Sequence, residues 1–484
     1  LENSISCAYI ESDGRIVVIS STQIPHIVRR IVGQALGIPW GKVRIIKPYV
    51  GGGFGNKQDA VQEPLNAFLS LAIHGRPVKL EYTREECMIG TRVRHAINFK
   101  IKTGVKKDGK IVFRELQAMS LNGGYASHGH AVVANSGTKF RHLYSQEAIK
   151  FDATTVYTNM PAAGAMRAYG IPQVKFALEC HMEDVARSIG LDSIEFRKMN
   201  LVKEGDIDPL SGIRVNSCGI RECIEKGKEI ICWDEKKAKD KGQTGTKRRG
   251  LGMACFSYAS GTHPVGLEIA GARIVMNQDG SVQLQIGATE IGQGSDTVLA
   301  QIAAEAIGIP LEMVHVVSTQ DTDITPFDTG AYASRQTYIS GMAVKKAAET
   351  IKAKVLDYAW GMTDIPAGCM DIVNGWIVYK HNGEQIMSLA DLALDTYYSL
   401  VFASPITADV LEIYNVHDAG KVINPQLAEG QVHGGVSMGL GYALSEQLLF
   451  DPETGRPLNN NLLDYKLPTI MDTPEIGAAF VETY

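Results

Sequence analysis

The chain has 484 residues, of which 45% are hydrophobic, 21% charged and 49 glycine, with a net charge of −5. This is a core-forming globular composition of about three domains' length with an excess of glycine. No run of about 18 apolar residues is present to span a membrane, no basic segment precedes an apolar stretch as in a secretory signal, and the mild acidity argues against nucleic acid as a partner.

Residues 1–20 alternate like paired strands, with a turn at Ser12-Asp13-Gly14 and a strand over Ile16 to Ile19. An amphipathic helix follows, its apolar face formed by Ile24, Ile27, Val28, Ile31, Val32, Ala35 and Leu36. Gly37 and Pro39 end it, and a strand from Val43 to Ile46 runs into Val50-Gly51-Gly52-Gly53-Phe54-Gly55. The same unit recurs 271 residues later. Val298, Leu299, Ile302, Ala303, Ala306 and Ile307 repeat the helix face, Gly308-Ile309-Pro310 repeats Gly37-Ile38-Pro39, and Val314, Val316 and Val317 repeat the strand. A glutamine precedes each helix, Gln23 and Gln293, and a loop of small residues follows each strand, Gly51–Asn56 and Thr325–Ser334. An internal duplication is expected, in which equivalent loops of two related lobes face each other across a ligand.

Between the two copies, Gly164-Ala165-Met166-Arg167-Ala168-Tyr169-Gly170 precedes a helix that starts near Pro172. An arginine among small residues beside a helix N-terminus suits an anion. Trp233 to Gly252 is charged and without apolar period, and reads as a surface linker. The expected division is a first lobe over 1–235, a linker over 236–250 and a second lobe over 251–484. Near Ser399-Leu400-Val401 the chain passes abruptly from helix to strand character, as though residues were missing there. The start at Leu1 and the strand-like end at Tyr484 read as the edges of a piece of something larger.

The eight cysteines are scattered and form no CxxC, so a reducing cytoplasm is the expected compartment and any electrons must leave through another chain. Gly51 to Lys57 fails as a phosphate-binding P-loop, because Gln58 stands where Ser or Thr is needed. Two segments place glutamine between glycines, Gly287 to Gly294 with Gln293, and Glu429 to Gly435 with Gln431 and His433. His128-Gly129-His130 lacks a third ligand at metal-site spacing, and no Ser-His-Asp or paired-carboxylate arrangement is readable. What remains is a glycine-lined, multi-loop pocket with amide and arginine ligands. Such a site suits a large polar cofactor that brings its own chemistry.

Taken together, Ser-Ser-Thr-Gln-Ile-Pro-His, Val-Gly-Gly-Gly-Phe-Gly-Asn-Lys-Gln-Asp, Ala-Met-Arg-Ala-Tyr-Gly-Ile-Pro-Gln, Gly-Ala-Thr-Glu-Ile-Gly-Gln-Gly and Ala-Glu-Gly-Gln-Val-His-Gly-Gly occur in this order. They resemble the molybdenum-binding subunits of bacterial xanthine dehydrogenases, within the wider xanthine oxidase/aldehyde oxidase family. The resemblance covers essentially the whole chain. It implies an α+β fold of two related mixed α/β lobes with the cofactor between them. That cofactor is molybdopterin cytosine dinucleotide or a related molybdenum-pterin, with the metal held through the pterin and not by protein ligands.

By the same resemblance, Gln23 hydrogen-bonds an oxo group on molybdenum, Gly53, Phe54 and Gly55 approach the metal through their backbone, and Arg167 lines the opposite wall. Gln293, Ala331, Gln431 and His433 grip the pterin and its nucleotide. Gln58, Tyr169 and Phe256 contact substrate, Tyr169 by stacking on its ring. The implied activity is that of an oxidoreductase that hydroxylates xanthine- or hypoxanthine-type purines in purine catabolism. It acts within an oligomer, with [2Fe-2S] clusters and FAD on partner subunits, an iron–sulfur subunit and a FAD subunit. The family's general-base glutamate is expected after Tyr484. A glutamate and an arginine anchor the purine in animal xanthine dehydrogenases, whereas Gln58 and approximately Asn135 stand in their places here. An aldehyde or N-heterocycle oxidoreductase of the same family, or a catalytically empty fragment lacking its base, are the alternatives.

Overall fold

The computed structural model describes residues 2–398 apart from 209, 240–245, 247–249, 259, 263–267 and 318–319, and beyond these 407–410, 415–417, 433 and 478–480. The chain forms two compact units, one of Leu1–Cys87 with Ser260–Val481, the other of Met88–Ala259 with Glu482–Tyr484. It is of the expected α+β class. The units do not follow the expected halves at 1–235 and 251–484, because early and late segments share one sheet in the first unit.

That sheet begins with a hairpin of β1 (Ile5–Ile10) and β2 (Ile16–Ser20), continues through α1 (Pro25–Leu36) and returns as β3 (Val43–Lys47), parallel to β2. Helix α1 forms as its sequence period requires. Pro25 sits in the first turn, Gly37 closes the last turn in the left-handed conformation, and Val28 and Val32 are fully buried against Val18, Val43 and Ile45. Each buried valine contributes about 1.5–3 kcal/mol by leaving water. Helix α2 (Glu63–Ala72) and β4 (Val78–Glu81) follow, with β4 pairing antiparallel to β1.

In the second unit, after α3 (Arg84–Gly90), strands β5 (Ala96–Val105) and β6 (Ile111–Leu121) form an antiparallel pair. Helix α4 (Gly129–Arg141) then leads to β7 (Ala148–Val156), which lies parallel to β6. Helix α5 (Ile171–Ser188) buries Val174, Leu178, Met182 and Ala186 in this core, and α6 (Ser193–Asn200) is capped by Asp192, whose side chain accepts from the N–H groups of Ile194 and Glu195. Helices α7 (Ile220–Ile230) and α8 (Trp233–Lys239) complete the unit. The expected linker at 236–250 therefore begins inside a helix. Trp233 is buried in the core, and Lys237 Nζ reaches Asp192 at 2.5 Å. Burial of one indole outweighs the charged composition around it.

The duplicate lies wholly within the first unit. A hairpin of β8 (Ala272–Met276) and β9 (Val282–Ile286) is followed by α9 (Ser295–Ile307) and by β10 (Val314–Val316), parallel to β9. Gly308 repeats the left-handed cap of Gly37, and a short 3-10 turn precedes the last strand in both copies, at Trp40–Lys42 and Leu311–Met313. Strand β11 (Gln320–Asp321) then crosses to the first sheet and pairs antiparallel with β3, giving the order β11-β3-β2-β1-β4. The long helix α10 (Gln336–Thr363) packs on α9. A three-stranded antiparallel sheet of β12 (Met370–Val373), β13 (Trp376–Tyr379) and β14 (Gln385–Ser388) follows, and then α11 (Leu389–Tyr398). Strand β15 (Thr407–Val410) pairs with β8, and β16 (Asn415–His417) pairs with β17 (Ala478–Phe480). The suspected break near Leu400 lies outside the described residues.

Candidate cofactor and substrate sites

Gln23, Gly53, Phe54, Gly55, Gln58, Gln293 and Ala331 belong to the first unit, whereas Arg167, Tyr169 and Phe256 belong to the second. Gln431 lies outside the described residues, and His433 is helical and half-buried.

In the first unit the centre is Gln23, only 2% exposed and one position ahead of the residue that caps α1. Its Nε2 donates to the Ala331 carbonyl at 2.6 Å, and its Oε1 accepts from the Gly55 N–H at 2.8 Å. Its backbone is held as well, with Gln23 N donating to Lys57 O at 2.9 Å and Ala331 N donating to Gln23 O at 2.9 Å. The amide thus braces the glycine loop against the loop that carries Ala331. An amide nitrogen has two N–H groups and its oxygen two lone pairs. One of each is used by this brace.

Gly53 leaves the room that Gln23 occupies, because a Cβ there would stand 2.4 Å from Gln23 Oε1 and the amide would have to shift. Phe54, at φ 53°, is turned outward and 46% exposed, and the Gln58 N–H donates to Gly55 O at 3.1 Å.

The duplicate glutamine occupies the same place relative to its helix. Gln293 directly precedes Gly294, the N-cap of α9. Unlike Gln23 it is exposed, and it folds back on its own loop. Its Oε1 accepts from Ile291 N at 2.7 Å, and its Nε2 donates to Thr289 O at 2.9 Å and to the Gln336 side chain. Glu290 caps the loop by accepting from the N–H groups of Gly292, Gly294 and Asp296 at 2.6, 3.1 and 3.0 Å. The Gly292 backbone comes close to the first glycine loop, since a Cβ on it would stand 3.9 Å from Val50 O.

Several contributors carry no local sequence signal of function. Lys47 is fully buried and donates from Nζ to Glu290 O at 2.7 Å, and burial holds its ammonium below its ordinary pKa. The alternation of Val43 and Ile45 into the core places Lys47 inward too, a period-2 signal that could have found it. Arg335, with no exposed surface, fixes the Ala331 loop. Its Nη1 donates to Asp328 Oδ1 at 2.6 Å and to Gly330 O at 3.1 Å, and its Nε to Glu268 Oε2 at 2.5 Å.

In the second unit Arg167 is exposed, and its carbonyl accepts from Arg94 Nη2 at 2.9 Å. Tyr169 is half-buried. Its phenol oxygen lies 2.8 Å from His128 Nδ1, and its carbonyl accepts from Asn135 Nδ2 at 2.7 Å. Phe256 is 71% exposed and lines a cavity of about 1200 Å³ with Ala168, Phe176, Lys175, Trp233 and Tyr258. Glu179 lines the same cavity, and its carboxylate accepts from Tyr144 Oη at 2.7 Å, from Arg197 Nε at 2.9 Å and from the Cys255 N–H at 2.9 Å.

The residues of the first unit fit a large polar group held without metal-ligating side chains. Gly53 leaves only backbone beside Gln23. Thr289 Oγ1 and both amide atoms of Gln320 are buried without a hydrogen-bond partner among the described residues, an arrangement that polar ligands or water usually satisfy. Among the described residues no His/Cys/Asp/Glu group could hold a metal ion by itself.

A molybdopterin cofactor-binding domain model matches residues 1–201, and a second molybdopterin cofactor-binding domain model matches residues 226–408 and 403–474. The xanthine dehydrogenase molybdenum-binding subunit of Escherichia coli O157:H7 is 47% identical, across all of this chain and 68% of that one. Among solved structures, the Cu,Mo-CO dehydrogenase in its carbon monoxide reduced state superposes with a TM-score of 0.74 at 25% identity, over 100% of this chain and 67% of that one. Quinoline 2-oxidoreductase from Pseudomonas putida 86 shares the fold at a TM-score of 0.73 and 24% identity, with the same coverage of 100% and 67%. The chain therefore belongs to the molybdopterin-dependent, xanthine dehydrogenase-type oxidoreductases that its motifs resemble.

Proposed function

We propose that this chain binds a molybdenum-pterin dinucleotide at the Gln23 brace and hydroxylates a xanthine- or hypoxanthine-type purine, passing electrons to iron–sulfur and flavin partner chains in the cytoplasm. The observation that carries the reading is the brace itself, a buried amide fixed by Gly55 and Ala331 beside a loop where a Cβ at position 53 would displace it. When bound, such a group supplies the two-electron oxidation of a ring carbon with oxygen from water, releasing two protons.

The chain's own part is to bind and orient. The second N–H of Gln23 donates to an oxygen of the bound group, and the backbone at Gly53 and Phe54 closes against it. Cytosine dinucleotide is the form expected from the resemblance, with Gln293, Gln431 and His433 on its pterin and nucleotide. Tyr169 stacks on the substrate ring, with Phe256 as its counterpart. Arg167 supplies a positive wall.

One contact favours a second reading, hydroxylation of another N-heterocycle or an aldehyde. Asn135, in the place of an anchor for purine, spends its amide on the Tyr169 carbonyl. Metal and pterin analysis of the purified natural protein, followed by dye reduction with xanthine, quinoline and an aldehyde, tests both. Stoichiometric molybdenum with xanthine-dependent reduction is expected. Molybdenum-replete protein that oxidises quinoline or the aldehyde but not xanthine selects the second reading, and protein without affinity for the pterin overturns both.

A further inference from the structure

Three consecutive residues, Ala168, Tyr169 and Gly170, stand in the left-handed backbone region at φ 70°, 45° and 87°. For the two that carry side chains this costs on the order of 1–3 kcal/mol each, so the surroundings must impose it. Helix α4 and the residue that caps it do so. Ser136 Oγ donates to Gly170 O at 2.9 Å, Asn135 Nδ2 donates to Tyr169 O at 2.7 Å, and Gly170 packs so closely that a Cβ would stand 2.4 Å from Val132 O. His128, at the N-cap of α4, adds the side-chain contact. Its Nδ1 is 2.8 Å from Tyr169 Oη, and the rings meet edge to face at 89° with centroids 5.6 Å apart. The phenol is thus held at the backbone, at the ring and at the hydroxyl.

We propose that His128 is a positioning residue, and that the His128–Tyr169 pair is the element that selects N-heterocycles bearing a ring carbonyl over those without one. A phenol both donates and accepts hydrogen bonds. With His128 fixing its direction, the hydroxyl meets an exocyclic carbonyl at the edge of the substrate. Quinoline, an N-heterocycle without a carbonyl, offers it no such group, and a site built around a polar contact discriminates strongly against a substrate that lacks it.

This inference rests on the ring-hydroxylase reading, and the experiment separates the two. Y169F keeps the ring and removes the hydroxyl, H128A removes its director, and the double variant closes a mutant cycle. All are compared with the natural molybdenum-loaded protein on xanthine and on quinoline, with thermal unfolding to confirm folding. Each single change is expected to lower the xanthine-to-quinoline ratio of kcat/KM about tenfold, the value of one good hydrogen bond, chiefly through KM for xanthine. The double variant is expected to lose no more than the worse single one. A ratio that stays constant in folded Y169F and H128A, or losses that simply add, overturns the inference and leaves the ring-hydroxylase reading standing. Natural protein that is molybdenum-replete and oxidises neither ring overturns both.

Discussion

Gln23 and Ala331, 308 positions apart, are joined twice, by the side-chain amide of Gln23 donating to the Ala331 carbonyl and by the Ala331 N–H donating to the Gln23 carbonyl. Because both are buried, the pair behaves as a rigid coupling between the two loops that flank the candidate cofactor site. Gln23→Glu replaces the donor with an acceptor and sets two oxygens against each other. The loss expected is about 1–3 kcal/mol, the cost of an unsatisfied buried group, read as a lower urea midpoint, together with reduced molybdenum content.

Gly53→Ala tests the close approach. The new methyl meets Gln23 Oε1 at 2.4 Å, so the amide must move. Overpacking of this kind costs about 1–3 kcal/mol. A variant with natural stability and full pterin binding would show that the loop yields without moving Gln23.

His26 follows Gln23 by three residues, and its ring packs on Phe327 at 5.3 Å. Desolvation, and next the nearby Arg29, lower its pKa from 6.5 to about 4, with Asp321 partly opposing. Between those values the unfolded chain takes up a proton that the folded chain refuses, so stability falls as pH drops from 6.5 towards 4. His26→Phe is expected to shrink the difference in unfolding midpoint between pH 7 and pH 4.5, and an unchanged difference would assign the acid sensitivity to other groups.

Lys175 is buried on α5, with Nζ donating to His142 O at 3.2 Å. Burial, and next the Arg114 charge, pull it from 10.5 to about 7, against the opposing pull of Glu179. Across that window the unfolded chain holds the extra proton, so this group's contribution to stability rises with pH. Lys175→Met is expected to raise the melting temperature, and by more at pH 6 than at pH 9.5. An equal gain at both pH values would place the lysine in a solvated setting.

The duplicated strand–helix–strand unit was legible because local rules fix it. Helical period, a glycine cap and a proline after it recur in register, and both copies fold as expected. The glycine loop was legible for the same reason, since Gly53 answers to close approach. The brace from Gln23 to Ala331, the Lys47 clamp on Glu290 and the Arg335–Asp328 pair were not. Two of these join residues more than 240 positions apart, and although strand alternation turns Lys47 inward, no local pattern names its partner. Arg335–Asp328 is close in sequence, but a buried ion pair looks like any exposed one. On helix α5, Lys175 and Glu179 are buried too, and it is other elements, through Tyr144, Arg197 and the Cys255 N–H, that satisfy Glu179.

The pairing of β11 with β3 also sets a timetable. Lys47 emerges from the ribosome 273 residues before its partner Gln320. At about 5–20 residues per second, that is a wait of roughly 14 to 55 seconds. During that wait the whole of Met88–Ala259 is synthesised and free to fold, while the edge of β3 stays open to wrong partners. Nascent chains stalled near residue 300 should therefore resist protease over the middle segment and remain cleavable before residue 87, and early protection of that N-terminal stretch would show that it closes without β11.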